Sequence, residues 1–213
     1  MNLQELTKKA NEAIIEWAQG SEKLVVAIDG YTGIGKTTLL DNLAKLNSDI
    51  LPVNRDDFQI PRTRFEKLYK KSKDRSKLFE LEMNDHTKIR KLVGVFRKSN
   101  KPYKFKAYDG VSGKVDILKV LDFSKKIMVV EGVFMFHPKL PINKLWDKRI
   151  YLKGDINKID ERRVKREKER WGNDYFPETH PDSYFRQVTI ALKRYIKLYH
   201  PEMIADLVLN VDE

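Results

Sequence analysis

The chain contains no cysteine. That excludes a disulfide framework, a thiolate zinc site and a cysteine nucleophile. Histidine is scarce: His86, His137, His180 and His200 lie far apart without metal-ligand spacing, and are expected as structural or surface groups. No apolar run approaches the roughly 18 residues needed to span a bilayer, and the N-terminal residues lack the basic-then-apolar order of a secretory signal. The expectation is a cytoplasmic protein without a membrane partner. Internal repeats and low-complexity segments are also missing, so solenoid and linker classes drop out. Acid is in deficit, with 31 Asp and Glu against 42 Lys and Arg in 213 residues, a formal charge of +11. Such a balance favours an anionic partner without choosing among nucleotide, nucleic acid and lipid surface. Because lysine is spread along the whole chain, a solvated basic surface is expected rather than a nucleic-acid stripe. The length suits one α/β domain over 1–213 and leaves a homo-oligomer open.

What is present centres on Gly30-Tyr31-Thr32-Gly33-Ile34-Gly35-Lys36-Thr37. The stretch follows the apolar run 24–28, precedes a helix-like segment from Thr38 to Leu46, and fits the phosphate-binding pattern G-x-x-x-x-G-K-[ST]. A loop that wraps a polyphosphate turns its N–H groups inward, which requires glycines where a Cβ would forbid the necessary dihedrals. Lys36 supplies a mobile positive charge, the following helix start adds its partial positive dipole, and Thr37 offers a hydroxyl to Mg²⁺. Gly30, Gly33, Ile34, Gly35, Lys36, Thr37 and Thr38 are therefore the candidate nucleotide-binding residues.

Around this loop the spacing predicts a helix over 2–19, with Trp17 in its packed face, and a short strand over 49–54 whose Pro52 argues for a sheet edge. That strand runs into Arg55-Asp56-Asp57-Phe58, two carboxylates at a strand end, where open α/β sheets line their ligand crevice. Residues 62–77, dense in Lys and Arg with Phe65 and Tyr69 between them, are expected to be exposed and mobile. A packing helix is expected over 83–98, extended segments joined by Asp-Gly and Ser-Gly turns over 102–120, and strands over 127–132, 148–152 and 205–209. Glu131 ends an apolar strand, a position suited to Mg²⁺ and its waters. Lys158, Arg162, Arg166 and Arg170 recur every fourth residue and share one helix face, either a solvated face or one that meets phosphate.

Taken in order, these pieces resemble the uridine kinase family and its relatives among small-molecule P-loop kinases, which include nicotinamide riboside kinase and pantothenate kinase. The likeness covers about residues 23–210. It is carried by the phosphate loop, Asp56-Asp57-Phe58, Tyr108-Asp109, Val130-Glu131-Gly132-Val133, the Arg162-Arg163-Val164-Lys165-Arg166 segment and the strand Ala205 to Leu209. The resemblance implies a three-layer P-loop fold: a five-stranded parallel sheet ordered 2-3-1-4-5, helices on both faces, and a basic lid over about 156–180. It further implies ATP- and Mg²⁺-dependent phosphoryl transfer to a small-molecule hydroxyl, with uridine or cytidine as the first expectation and another hydroxylated metabolite as the alternative. On this basis Asp56 is the candidate base, with Asp57 competing, and Lys36 and Arg166 assist catalysis. Arg162, Arg163 and Arg166 close over ATP, Thr37 and Glu131 serve the metal, and Asp56, Tyr108, Asp109 and Glu80 face the substrate. The Tyr-Asp pair is followed by neither the His nor the Arg that hold a pyrimidine in the family, and Glu80 is the only candidate for its ribose-binding acid. From a different class, a P-loop ATPase that binds nucleic acid is the rival; against it, Glu131 is followed by Gly132 rather than a second carboxylate.

Overall fold

The apolar runs at 24–28 and 127–130 become the two strands at the heart of a parallel sheet. In the computed structural model, which describes residues 2–211 apart from the side chain of Asp174, β1 (Leu24–Gly30) and β5 (Ile127–Glu131) are buried at every position. Only strands covered on both faces can be apolar without alternation, and helices provide that cover here. The sheet also takes in β2 (Ile50–Asn54), β6 (Lys148–Lys153) and β7 (Leu207–Asn210), in the order β2-β5-β1-β6-β7. Counting these five strands alone along the chain, the order is 2-3-1-4-5. β2 is an edge strand, so the donor missing at Pro52 costs the ladder little.

The core is completed by α1 (Leu3–Trp17), through Leu6, Ala10 and Ile14, and by α2 (Lys36–Leu46), through Leu39, Leu40 and Leu43. Asn2 and Glu5 close α1 with a reciprocal capping box, and Trp17 lies half-buried against the core. Ile89, Leu92, Val93 and Phe96 of α5 (His86–Phe96) and Ala191, Leu192 and Tyr195 of α7 (Tyr184–Tyr199) fill further core positions. β3 (Tyr103–Tyr108) and β4 (Val115–Leu121) pair as an antiparallel hairpin inserted before β5, and Phe105 stacks on Phe58 at 5.0 Å between ring centroids. The basic segment forms α6 (Ile156–Trp171), ending at Gly172. No described helix is long and apolar enough to cross a membrane.

Residues 62–77 depart from the expectation of an exposed, mobile stretch. They form α3 (Arg62–Lys71) and the start of α4 (Arg75–Leu81), and Phe65 and Tyr69 are buried with Ile60 and Phe79 in a second apolar cluster. The two rings stand four residues apart, hence on one helix face, and meet Tyr184 of α7 as well. Burial of each ring contributes about 2 kcal/mol, enough to hold a helix whose other faces are almost entirely charged. Met1, Asp212 and Glu213, the ends of the expected 1–213 span, lie outside the described residues.

Candidate active site

At the C-terminal ends of β1, β2 and β5 the chain turns three times, and the residues of those turns line a cleft of about 450 Å³. The first turn is the glycine loop. Gly33 has φ 82° and Gly35 φ 106°, backbone that β-carbon-bearing residues rarely adopt. Gly35 is also the N-cap of α2 and provides no side-chain cap, so the amides of that first turn remain available to an anion. Lys36 is buried, and its Nζ donates to the carbonyls of Gly30 at 3.0 Å and Tyr31 at 2.9 Å. Thr37 donates its hydroxyl to Glu131 Oε1 at 2.9 Å. Desolvation raises the Glu131 carboxyl above its ordinary pKa and lowers the Lys36 ammonium, while each charge partly supports the other. Gly30 and Ile34 stand behind the loop: a Cβ on Gly30 would lie 2.8 Å from the Leu152 carbonyl, and the Ile34 side chain is buried.

The second turn is the one-turn 3₁₀ helix Arg55–Phe58, initiated by Asn54, whose Oδ1 accepts from Asp56 N at 2.7 Å. This turn separates the adjacent aspartates. Asp56 lines the cleft with Lys36, Thr37 and Glu131, whereas Asp57 points toward the hairpin and accepts from Lys119 Nζ on both oxygens at 2.7 Å. The third turn, Gly132 to Phe134 after β5, completes the wall opposite the loop.

Of the arginines expected over ATP, Arg166 lines the cleft and is exposed, and Arg162 is exposed on the same helix. Arg163 differs from the expectation. It is buried, donates to Asp160 Oδ1 at 2.6 Å, lies 4.0 Å over the Phe185 ring, and presses against Gly33. Tyr31 donates to the same Asp160, at 2.9 Å, so these residues join the foot of α6 to the phosphate loop rather than present a charge to the cleft.

Three of the expected substrate contacts are also placed elsewhere. Glu80 is buried and accepts from His137 Nε2 at 2.8 Å and from Arg194 Nε at 2.9 Å. His137 Nδ1 accepts from Lys139 N, which puts the imidazole proton on Nε2. Although burial works against its charge, those hydrogen bonds hold Glu80 below the usual carboxylate range. The reason is geometric: α4 aims Glu80 at α7 and at the segment after β5. Tyr108 and Asp109 sit at the hairpin turn, where Asp109 Oδ1 accepts from Val111 N at 2.8 Å, and neither lines the cleft. The cleft is lined instead by Arg55, Gln59, Phe79, Met83, Asn84 and Val188 as well. Only Arg55 carried a sequence signal, its place beside Asp56 at a strand end; Gln59 follows the same turn and pairs with Asn84 from the segment after α4, and Phe79, Met83 and Val188 arrive through the packing of α4, the segment after it and α7.

The sequence profile of the phosphoribulokinase/uridine kinase family matches residues 25–211. The chain belongs to that family. Membership makes the protein a kinase, and the family implies a small-molecule substrate. Solved structures share the fold. A possible uridine kinase from Bacillus stearothermophilus is 18% identical with a TM-score of 0.69, covering 98% of this chain and 100% of that one. The D-glycerate 3-kinase of Cryptococcus neoformans is 12% identical with a TM-score of 0.65, covering 89% and 87%. Phosphoribulokinase from Rhodobacter spheroides is 14% identical with a TM-score of 0.58, covering 89% and 70%. A comparison with curated proteins finds no match.

Proposed function

We propose that this kinase moves the γ-phosphoryl group of ATP to a hydroxyl of a small molecule, with Asp56 receiving the hydroxyl proton. The observation that carries the reading is the convergence of Lys36, Thr37, Glu131 and Asp56 on one cleft beside an uncapped helix start. Phosphate oxygens would take over the Lys36 donors now spent on the loop's own carbonyls, and Arg166 would approach from the lid. The acceptor oxygen forms its bond to the γ-phosphorus as the bond to the β-phosphate oxygen breaks, and the proton passes to an Asp56 oxygen. The Asp57 carboxylate is occupied by Lys119, which favours Asp56 over its neighbour.

The residues also suit Mg²⁺. Thr37 and Glu131 present a hydroxyl and a carboxylate 2.9 Å apart, and among the described residues no cluster of three acids or histidines forms a cage. Mg²⁺ commonly keeps most of its shell as water and substrate phosphate, and would supply charge neutralisation there. Its phosphate and acceptor alignment would otherwise rest on this chain's own groups.

A nucleoside acceptor was the first expectation, but Glu80, Tyr108 and Asp109 do not face the cleft, so we keep the acceptor at the level of a hydroxylated small molecule. The neighbours are named as a possible uridine kinase, a D-glycerate 3-kinase and a phosphoribulokinase, which suggests a panel of uridine, D-glycerate and a pentose phosphate. The test is ATP turnover and product formation with that panel. Asp56→Asn is expected to lower kcat about 100-fold or more with little change in ATP affinity, and Lys36→Ala to abolish transfer while the fold persists. ATP hydrolysis stimulated by RNA and independent of every acceptor would overturn the proposal, as would a larger loss in Asp57→Asn.

A further inference from the structure

Arg55 precedes the proposed base and has no part in the transfer as described so far. It is 2% exposed yet lines the cleft. A guanidinium carries five N–H donors and no acceptor. Here Nη1 donates to the Val133 carbonyl at 2.7 Å, Nη2 lies 3.4 Å from His86 Nε2, and Nε is buried without a partner. Neither partner is an anion: one is a peptide carbonyl, and desolvation with the neighbouring guanidinium pushes His86 down to about 4, leaving it neutral near pH 7. Asp56, Asp29 and Glu131 support the Arg55 charge from a distance, but among the described residues none of them makes an ion pair with it.

The position is built rather than incidental. Asn84 Nδ2 donates to the Arg55 carbonyl at 2.9 Å, and the absence of a side chain at Gly132 lets the Arg55 stem pass, since a Cβ there would sit 2.7 Å from Arg55 Cβ. Sheet order then decides which substrate it meets. β5, with Glu131 at its end, separates β1 and the phosphate loop from β2, so Arg55 lies on the far side of Glu131 from the loop. The triphosphate end already has Lys36 and Arg166; the acceptor end has Arg55 as its cation. A guanidinium with spare donors pairs best with the paired oxygens of a carboxylate or phosphate.

We propose that Arg55 receives an anionic group, carboxylate or phosphate, carried by the phosphoryl acceptor, so that this kinase selects a hydroxy acid or a phosphorylated sugar over a neutral nucleoside. The proposal rests on the kinase reading above. Because Arg55 and Asp56 are consecutive, the anionic group and the attacking hydroxyl are held within one small molecule's length of each other.

The experiment measures kcat/KM for two pairs that keep the carbon skeleton and differ in charge, D-glycerate against glyceramide and ribose 5-phosphate against ribose, with uridine alongside. Wild type, Arg55→Lys and Arg55→Met are compared, and thermal shifts with ATP and with each acceptor are recorded. The anionic member of one pair is expected to be preferred about 10- to 100-fold, and the pair that shows it identifies carboxylate or phosphate. Arg55→Met should erase most of that preference through KM while the ATP-induced shift persists, and Arg55→Lys should retain part of it. Neutral acceptors used as well as their anionic partners, a preference unchanged in Arg55→Met, or no stabilisation by either anion would each overturn the proposal. Loss of the ATP-induced shift in wild type would instead overturn the kinase reading itself.

Discussion

Replacing Gly33 by alanine tests whether the phosphate loop and the start of α6 form one packed unit. Two costs are expected. At φ 82° an alanine pays for left-handed backbone, about 1–2 kcal/mol. Its Cβ would also stand 2.7 Å from Arg163 Cγ and 2.9 Å from Cδ, so the stem must retreat by about 0.7 Å to reach ordinary contact. Arg163 has little room to do so, with its guanidinium 4.0 Å over Phe185 and bonded to Asp160 at 2.6 Å. Overpacking of this kind costs about 1–3 kcal/mol, and the two terms together give about 2–5 kcal/mol. Removing Arg163 separates them. In an Arg163→Ala background the clash disappears and Gly33→Ala should cost only the backbone term, about 1–2 kcal/mol. Urea unfolding of the four proteins of this cycle yields the coupling directly, expected at about 1–3 kcal/mol and destabilising. If Gly33→Ala costs the same in both backgrounds within about 0.5 kcal/mol, loop and α6 are not in contact and the reasoning fails.

Glu80→Ala should destabilise the fold by about 3 kcal/mol, because it leaves Arg194 and His137 without their shared acceptor. For a chain of this size that lowers Tm by roughly 6–12 °C; an unchanged Tm with a raised acceptor KM would return Glu80 to the substrate side. A second expectation concerns pH. His86 has its pKa lowered from 6.5 to about 4 in the folded protein, so between those values the unfolded chain binds a proton that the native state refuses. Stability from this site is complete above about pH 6.5 and falls as pH drops toward 4. Thermal unfolding across that window should show a shallower acid slope in His86→Gln, and parallel slopes in both proteins would count against a half-buried neutral imidazole.

Much of the architecture was legible before any coordinates. The spacing of Gly30, Gly33, Gly35, Lys36 and Thr37 specifies a loop because the necessary dihedrals and the cation are local properties. The uninterrupted apolar runs at 24–28 and 127–130 predict buried strands, and Pro52 predicts the edge. What failed were expectations that depend on which face meets which. Phe65 and Tyr69 read as scattered aromatics in a basic stretch until Phe79 and Tyr184 supplied their partners from other helices.

The same division holds within the site. Sequence determined that a phosphate loop, two strand-end aspartates and a strand-end glutamate occur in that order, since each is a short stretch whose chemistry travels with it. Only the tertiary structure separated Asp56 from Asp57, by turning one toward Lys36 and Glu131 and giving the other to Lys119. It alone buried Arg55 with its Nε unpartnered among the described residues, and it alone gave Glu80 to His137 and Arg194. Those outcomes depend on side chains as far as 114 residues away in the chain, and desolvation and pairing are decided only when such groups are packed together.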